Sequence, residues 1–222
     1  MKPTYALDVY GTLINPLGIG DQLALYVGDK APYLAELWRS KQLEYSFRRG
    51  LMRAYKPFPD VTRAALDFAC QTFGETLSED IKTDLMEKYR TLDAFDDVPD
   101  ALHDLNINGA TLHAFSNGTA SDVAALLAHA EIGEQIQSII SVETVKSFKP
   151  DPDVYAHFNT VTGSRPETTW LVSSNPFDII GASSCGWKTA WVQRKPSALF
   201  DPWEHGPTKI IKSLTELAAA ST

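Results

Sequence analysis

An interruption in the chain limits the fold more than any other feature. One short apolar run, Thr4 to Val9, is followed by residues 16 to about 95, where no strand pattern recurs. Four more runs then come in quick order: Ala110 to Phe115, Gln137 to Val142, Thr168 to Val172 and Lys188 to Val192. Runs of this length, bounded by polar or glycine-rich residues, read as strands. Helical patterns lie between the later runs, as with Val123, Leu126, Leu127 and Ala130 at i, i+3, i+4 and i+7. Strand alternating with helix predicts an α/β fold with a mainly parallel sheet, whose ligands gather at the carboxyl ends of strands. Asp8, Ser116 and Ser173 all fall at or near such ends.

The interrupting stretch reads as four helices. Gly20-Asp21 opens the first, and Ala31 to Arg49 forms a long second with Leu34, Leu37, Trp38, Lys41 and Tyr45 along a face. Asp60 is expected to cap a third that stops at Gly74, and Ser78 a fourth that runs to about Leu92. Helices inserted after the first strand predict a cap over the sheet's carboxyl edge. The carboxylates from Asp93 to Asp100 read as a solvated linker back to the core, and Leu214 to Ala220 as a short closing helix.

The chain has 222 residues with 28 acidic against 20 basic side chains, a net charge of −8. That balance argues against nucleic acid as a partner, because phosphate binding needs a basic surface. It also removes long-range attraction for an anionic substrate, so an anion site would need cations placed locally. Two cysteines make no disulfide framework and no metal-ligand spacing. No apolar run approaches a membrane span, and Asp8 interrupts the start before a signal peptide could form, so a cytoplasmic protein is expected.

Four segments carry candidate chemistry. Leu7-Asp8-Val9-Tyr10-Gly11-Thr12-Leu13 puts a carboxylate at a strand end, placed either as a nucleophile or as an ordinary N-cap. Phe115-Ser116-Asn117-Gly118-Thr119 precedes a helix and could hold an anion or merely cap it. Phe148-Lys149-Pro150-Asp151-Pro152-Asp153-Val154-Tyr155 flanks a lysine with prolines, and Val172-Ser173-Ser174-Asn175-Pro176-Phe177-Asp178 again follows a strand. Each is weak alone; all four in this order are specific. None of the five histidines (His103, His113, His129, His157, His205) falls in a motif, and they read as structural or surface residues.

In that order and spacing the chain resembles the haloacid dehalogenase superfamily and, within it, the L-2-haloacid dehalogenases. The resemblance implies a Rossmann-like core, residues 1–15 and 96–222, with a four-helix cap subdomain at 16–95. Superfamily phosphatases carry a second aspartate two residues after the nucleophile, where this chain has Tyr10, and metal-binding acidic residues in the fourth motif, where it has Ser173-Ser174. With Asp8 and Asp178 the only obvious carboxylates, Mg²⁺ is poorly supported, and no cofactor or metal is expected. A carbon–halogen bond needs neither an acid nor a metal, because halide leaves without a proton.

As the resemblance implies, Asp8 would attack C2 of an (S)-2-haloalkanoate through an ester intermediate with inversion. Arg39, in Trp38-Arg39-Ser40-Lys41-Gln42-Leu43, would face the site from the cap and receive the halide with Asn117. Ser116 and nearby backbone N–H groups would hold the substrate carboxylate, with Lys149 as the counter-charge of Asp8. Ser173, Asn175 and Asp178 would position the hydrolytic water, supported by Thr12 and Tyr155, while Tyr10, Leu43, Phe58 and Phe177 would line the pocket. Ser40 stands where some members carry glutamine, and Phe177 where some carry tryptophan, which leaves substrate size open. The resemblance further implies a homodimer. Competing expectations are a haloacetate-specialised dehalogenase, a superfamily phosphatase, and a non-enzymatic carboxylate-binding protein.

Overall fold

The computed structural model describes residues 3–219. The strands are β1 (Thr4–Asp8), β2 (Thr111–Ser116), β3 (Ser138–Ser141), β4 (Thr169–Ser173), β5 (Lys188–Val192) and β6 (Lys209–Ile211). The α-helices are α1 (Gly20–Val27), α2 (Ala31–Leu51), α3 (Phe58–Phe73), α4 (Glu79–Lys88), α5 (Val98–Ile107), α6 (Ala120–His129), α7 (Pro152–Thr162), α8 (Pro176–Ser184) and α9 (Thr215–Ala219). Among the described residues one sheet runs in the order β3-β2-β1-β4-β5-β6, and every pairing is parallel. Five of its strands follow the apolar runs. The sixth, β6, is three residues long with Ile210 exposed, too short and too little buried to leave a periodic signal. The closing helix ends at Ala219; Ala220 lies outside the described residues.

Strand order reverses at β1, the position where ligands gather in such sheets. Asp8 lies opposite Phe115 of β2, and Leu7 opposite Val172 of β4, so Asp8, Ser116 and Ser173 are brought to one edge. Between β1 and α5 lie α1 to α4 with no strand of the sheet. The outgoing and returning chains meet where Ile14 bridges Ala94 and Phe95 N–H donates to Leu13 O at 3.0 Å.

Three local expectations are corrected. α3 begins at Phe58 with Pro57 at its N-cap; Pro59 is pre-set for the first turn, so Asp60 lies inside that turn rather than capping it. The buried face of α2 is Ala31, Leu34, Ala35, Trp38, Gln42 and Ser46, rotated from the apolar stripe because Gln42 and Ser46 are buried polar residues with hydrogen-bond partners. The return segment is not uniformly solvated. Asp97 pairs with Arg194 at 2.7 Å and accepts from Ser213 Oγ and Leu214 N–H. Burial alone would raise its pKa, but these donors hold it below the usual range. Arg194 also donates to Thr12 O at 2.6 Å, tying the return segment to the loop after β1.

Candidate active site

Asp8 is 6% exposed and is held by four donors. Its Oδ2 accepts from Thr12 Oγ1 at 2.8 Å, Ser173 Oγ at 3.0 Å and Asn175 Nδ2 at 2.7 Å. Among the described residues its Oδ1 accepts from Lys149 Nζ alone, at 3.0 Å. A carboxylate oxygen offers about two lone-pair directions, so Oδ2 is saturated and Oδ1 keeps capacity for a reaction. The turn that permits this needs Gly11, whose φ is +93°. Thr12 Oγ1 also accepts from Ser174 N–H, and Ser174 Oγ donates to Gly11 O, which locks the loop after β1 onto the loop after β4.

Lys149 joins two carboxylates. Besides Asp8, its Nζ donates to Asp178 Oδ2 at 2.7 Å, and both partners in that contact are fully enclosed. Burial draws the Lys149 pKa down, but the charges of Asp178 and Asp8 more than offset this and its pKa lies above the ordinary value. Asp178 Oδ1 accepts from Tyr155 Oη at 2.8 Å. Burial is the largest influence on Asp178 and pushes its pKa up to about 6 against the opposing pull of Lys149. Burial, then Asp178, pushes the Tyr155 hydroxyl well up. Tyr155 comes so near α8 that a Cβ on Gly181 would lie 2.4 Å from its Oη, which makes glycine obligatory there. Sequence reading passed over Gly181; a glycine inside a helix beside a motif was the available signal.

Asn117 accepts from Lys149 N–H through Oδ1 at 2.9 Å, which turns its NH₂ away from that loop. Ser116 is fully buried and its Oγ accepts from Gly118 N–H at 3.0 Å. Near Ser116, Gly118 N–H donates to Ser116 Oγ and Ala120 N–H donates to Glu143 at 2.7 Å.

From α2, Arg39 reaches the core: its Nη2 donates to Tyr10 O at 3.1 Å, the carbonyl that Asn175 Nδ2 also approaches at 3.2 Å. Its Nη1 donates to Gln42 Oε1 at 2.7 Å. Gln42 in turn accepts from Tyr89 Oη and donates to Thr62 Oγ1 at 2.6 Å, so the arginine rests on a buried polar network. Gln42 and Tyr89 were missed from sequence; an amide three residues after Arg39 in a helix was the clue for Gln42. Tyr10 packs against Phe58 and Tyr89 at ring-centroid distances of 5.3 and 5.7 Å. Burial, with Tyr89 next, pushes its hydroxyl pKa well up. Phe177 is half-buried with its ring edge against Phe47. Leu43 lies on α2 one turn beyond Arg39, half-buried. Among the described residues no group of three or more His, Cys, Asp or Glu side chains is placed to hold a metal ion.

Comparison with known proteins bears on this constellation. Residues 52–192 match the family described as haloacid dehalogenase-like hydrolase. The chain is 37% identical over 213 residues to (S)-2-haloacid dehalogenase 1 of Pseudomonas sp. (strain CBS-3), covering 95% of this chain and 92% of that protein. It is 32% identical over 189 residues to haloacetate dehalogenase H-2 of Moraxella sp. (strain B), covering 85% and 84%. Among solved structures, the L-2-haloacid dehalogenase of Xanthobacter autotrophicus with chloropropionic acid covalently bound superposes with a TM-score of 0.93 at 29% identity, covering 99% of this chain and 98% of that one. The chain belongs to the haloacid dehalogenase-like hydrolases and, within them, to the (S)-2-haloacid dehalogenase family.

Proposed function

We propose that this protein is an (S)-2-haloacid dehalogenase that converts (S)-2-haloalkanoates to (R)-2-hydroxyalkanoates and halide, with residues 16–95 acting as a cap over the catalytic core. The observation that carries this reading is the asymmetric cradle of Asp8, with one oxygen saturated by three donors and the other facing only Lys149. Oδ1 attacks C2 opposite the halogen. Arg39 and the Asn117 NH₂ receive the charge that develops on the leaving halide. Ser116 Oγ, which donates to no described residue, holds the substrate carboxylate.

The ester formed through Oδ1 leaves Oδ2 as its carbonyl oxygen, already surrounded by Thr12, Ser173 and Asn175. When water attacks the Asp8 carbonyl carbon, negative charge grows on Oδ2 where three donors await it. Asp178 accepts the proton of that water, and Tyr155 and Lys149 fix its orientation. The bond from the carbonyl carbon to Oδ1 then breaks, the proton on Asp178 passes to the departing alkoxide oxygen, and the second proton of the water leaves to solvent as Asp8 regains its charge. A hydrophobic lining of Tyr10, Leu43, Phe58 and Phe177 surrounds the alkyl group. Neither step draws on a proton donor for the leaving group or on a metal, and Tyr10 stands where a phosphatase of this superfamily would carry its acid. Exposed Leu25 and Tyr33 on the helical insert support a homodimer as part of this reading.

The test is halide release from (S)- and (R)-2-chloropropionate in the presence of EDTA. Turnover of the S enantiomer alone, unaffected by the chelator, is expected; Mg²⁺-dependent phosphate release with no halide would overturn the proposal. The similarity to a haloacetate dehalogenase favours a second substrate range, haloacetates, and relative rates on fluoroacetate and 2-chloropropionate decide between them.

Arg39→Lys is expected to lower kcat/KM by about 100-fold, because a lysine cannot reach Gln42 and Tyr10 O together while presenting donors to halide. Removal of the exposed Lys195 should change it less than about twofold. Equal losses in the two variants would show that recognition depends on overall charge rather than on a placed guanidinium.

A further inference from the structure

α2 crosses the carboxyl edge of the sheet like a beam. Near its middle, Arg39 meets Tyr10 O beside the nucleophile. Eleven residues on, or about 16 Å along the axis, a Cβ on Gly50 would lie 3.5 Å from Ser147 Oγ and 3.9 Å from Phe148 N, just before Lys149. Leu43 and Phe47 follow Arg39 at i+4 and i+8, so they share the helix face that spans the gap. Phe47 meets the edge of Phe177 at a centroid distance of 4.9 Å and an interplanar angle of 69°. Phe177 itself lies between Asn175, which binds Asp8, and Asp178, which binds Lys149. Beyond this pair opens a groove of about 860 Å³ whose walls include Phe47, Leu51, Phe148, Pro150, Phe177 and Ile180.

We infer that Phe47 sets the alkyl-chain limit of the substrate. The inference rests on the dehalogenase reading above. Its ring closes the cleft against Phe177, and a chain longer than the cleft must displace that ring to enter the groove. The groove is mostly apolar, so each further methylene that reaches it should gain about fourfold in binding. The wild-type protein forfeits that gain, because the aromatic contact between cap and core must first be broken.

The experiment compares wild type, Phe47→Ala and Phe47→Leu on (S)-2-chloropropionate, (S)-2-chlorobutyrate and (S)-2-chlorohexanoate. Phe47→Ala is expected to raise the hexanoate-to-propionate ratio of kcat/KM by at least about tenfold, chiefly through KM, with kcat on propionate within about threefold of wild type. Phe47→Leu should move the ratio the same way by less, and it carries the test should the alanine variant fail to fold. A ratio unchanged in the folded variants overturns the inference, as does a uniform loss of kcat on all three acids. A parallel calorimetric titration with unhalogenated propionate and hexanoate separates this inference from the reading beneath it. Wild type that releases no halide, together with a hexanoate preference gained on Phe47→Ala, sinks the dehalogenase reading and leaves Phe47 as the length limit. An unchanged binding preference sinks the inference whatever the catalytic result.

Discussion

Asp8→Asn lowers halide release from (S)-2-chloropropionate by at least about 10,000-fold, the largest effect expected of any single substitution here. An amide oxygen is a poor nucleophile, and its NH₂ would have to face either Lys149 Nζ or the three donors around Oδ2. Either orientation sets donor against donor, so the melting temperature of the variant is measured alongside its rate. A folded variant with no turnover matches the expectation, whereas a folded variant that keeps more than about one per cent of the rate removes Asp8 from the chemistry. The companion measurement is a single turnover in ¹⁸O-water with enzyme in excess. The label first enters the Asp8 carboxyl group, because water attacks the ester at that carbon, and label found directly in the hydroxy acid would rule out the intermediate.

Much of this site was legible because its residues sit at strand ends. Asp8, Ser116 and Ser173 end apolar runs that a parallel sheet must align, so their convergence followed from topology before any distance was known. Tyr155 was legible only through the resemblance, whereas Lys149, held by flanking prolines, could pair with a buried carboxylate but by default reads as a solvated lysine in a turn. The residues that support the site were the hidden ones. Gln42 is a polar side chain on a buried helix face, which an apolar pattern cannot register, and its value appears only once Thr62 and Tyr89 are beside it. Asp97 looked like one of many acids in a linker. It is set apart by Arg194, nearly a hundred positions away, and no local pattern encodes such a pairing.

The same limit applies to charge. The net −8 implies short-range recognition of an anion, and the sequence offered Arg39 and Lys149 as the local cations. Lys149, however, lies between two carboxylates, so its charge is already matched within the cluster. Among the described residues Arg39 pairs with no carboxylate and donates to neutral groups, including Gln42 Oε1 and Tyr10 O. It is therefore the cation whose field an incoming carboxylate and a departing halide would feel, which is why its replacement should outweigh that of any surface lysine.

Asp178→Asn separates the two halves of the reaction. Attack by Asp8 on C2 needs no base, whereas hydrolysis of the ester needs a group to take the proton of water. The variant should release one halide per active site at close to the wild-type rate and then stall, with turnover reduced by about 100- to 10,000-fold. The ester should be visible as added mass on the Asp8 peptide. A pH series on the wild-type protein tests the same role. Burial pushes the Asp178 pKa up to about 6, so below that pH the carboxyl is neutral and accepts no proton. Turnover should then fall by about tenfold per pH unit while the initial burst of halide persists. The direction for stability is opposite. A carboxyl whose folded-state pKa exceeds its unfolded value favours the folded state most at low pH, and that contribution is lost as pH rises from the ordinary carboxylate range to about 6. Loss of activity below pH 6 therefore does not arise from unfolding through this group, and the melting temperature measured across the series checks this. If the burst and the steady state fall together in Asp178→Asn, this carboxylate serves only to hold Lys149 against Asp8, and the proton of the hydrolytic water goes elsewhere.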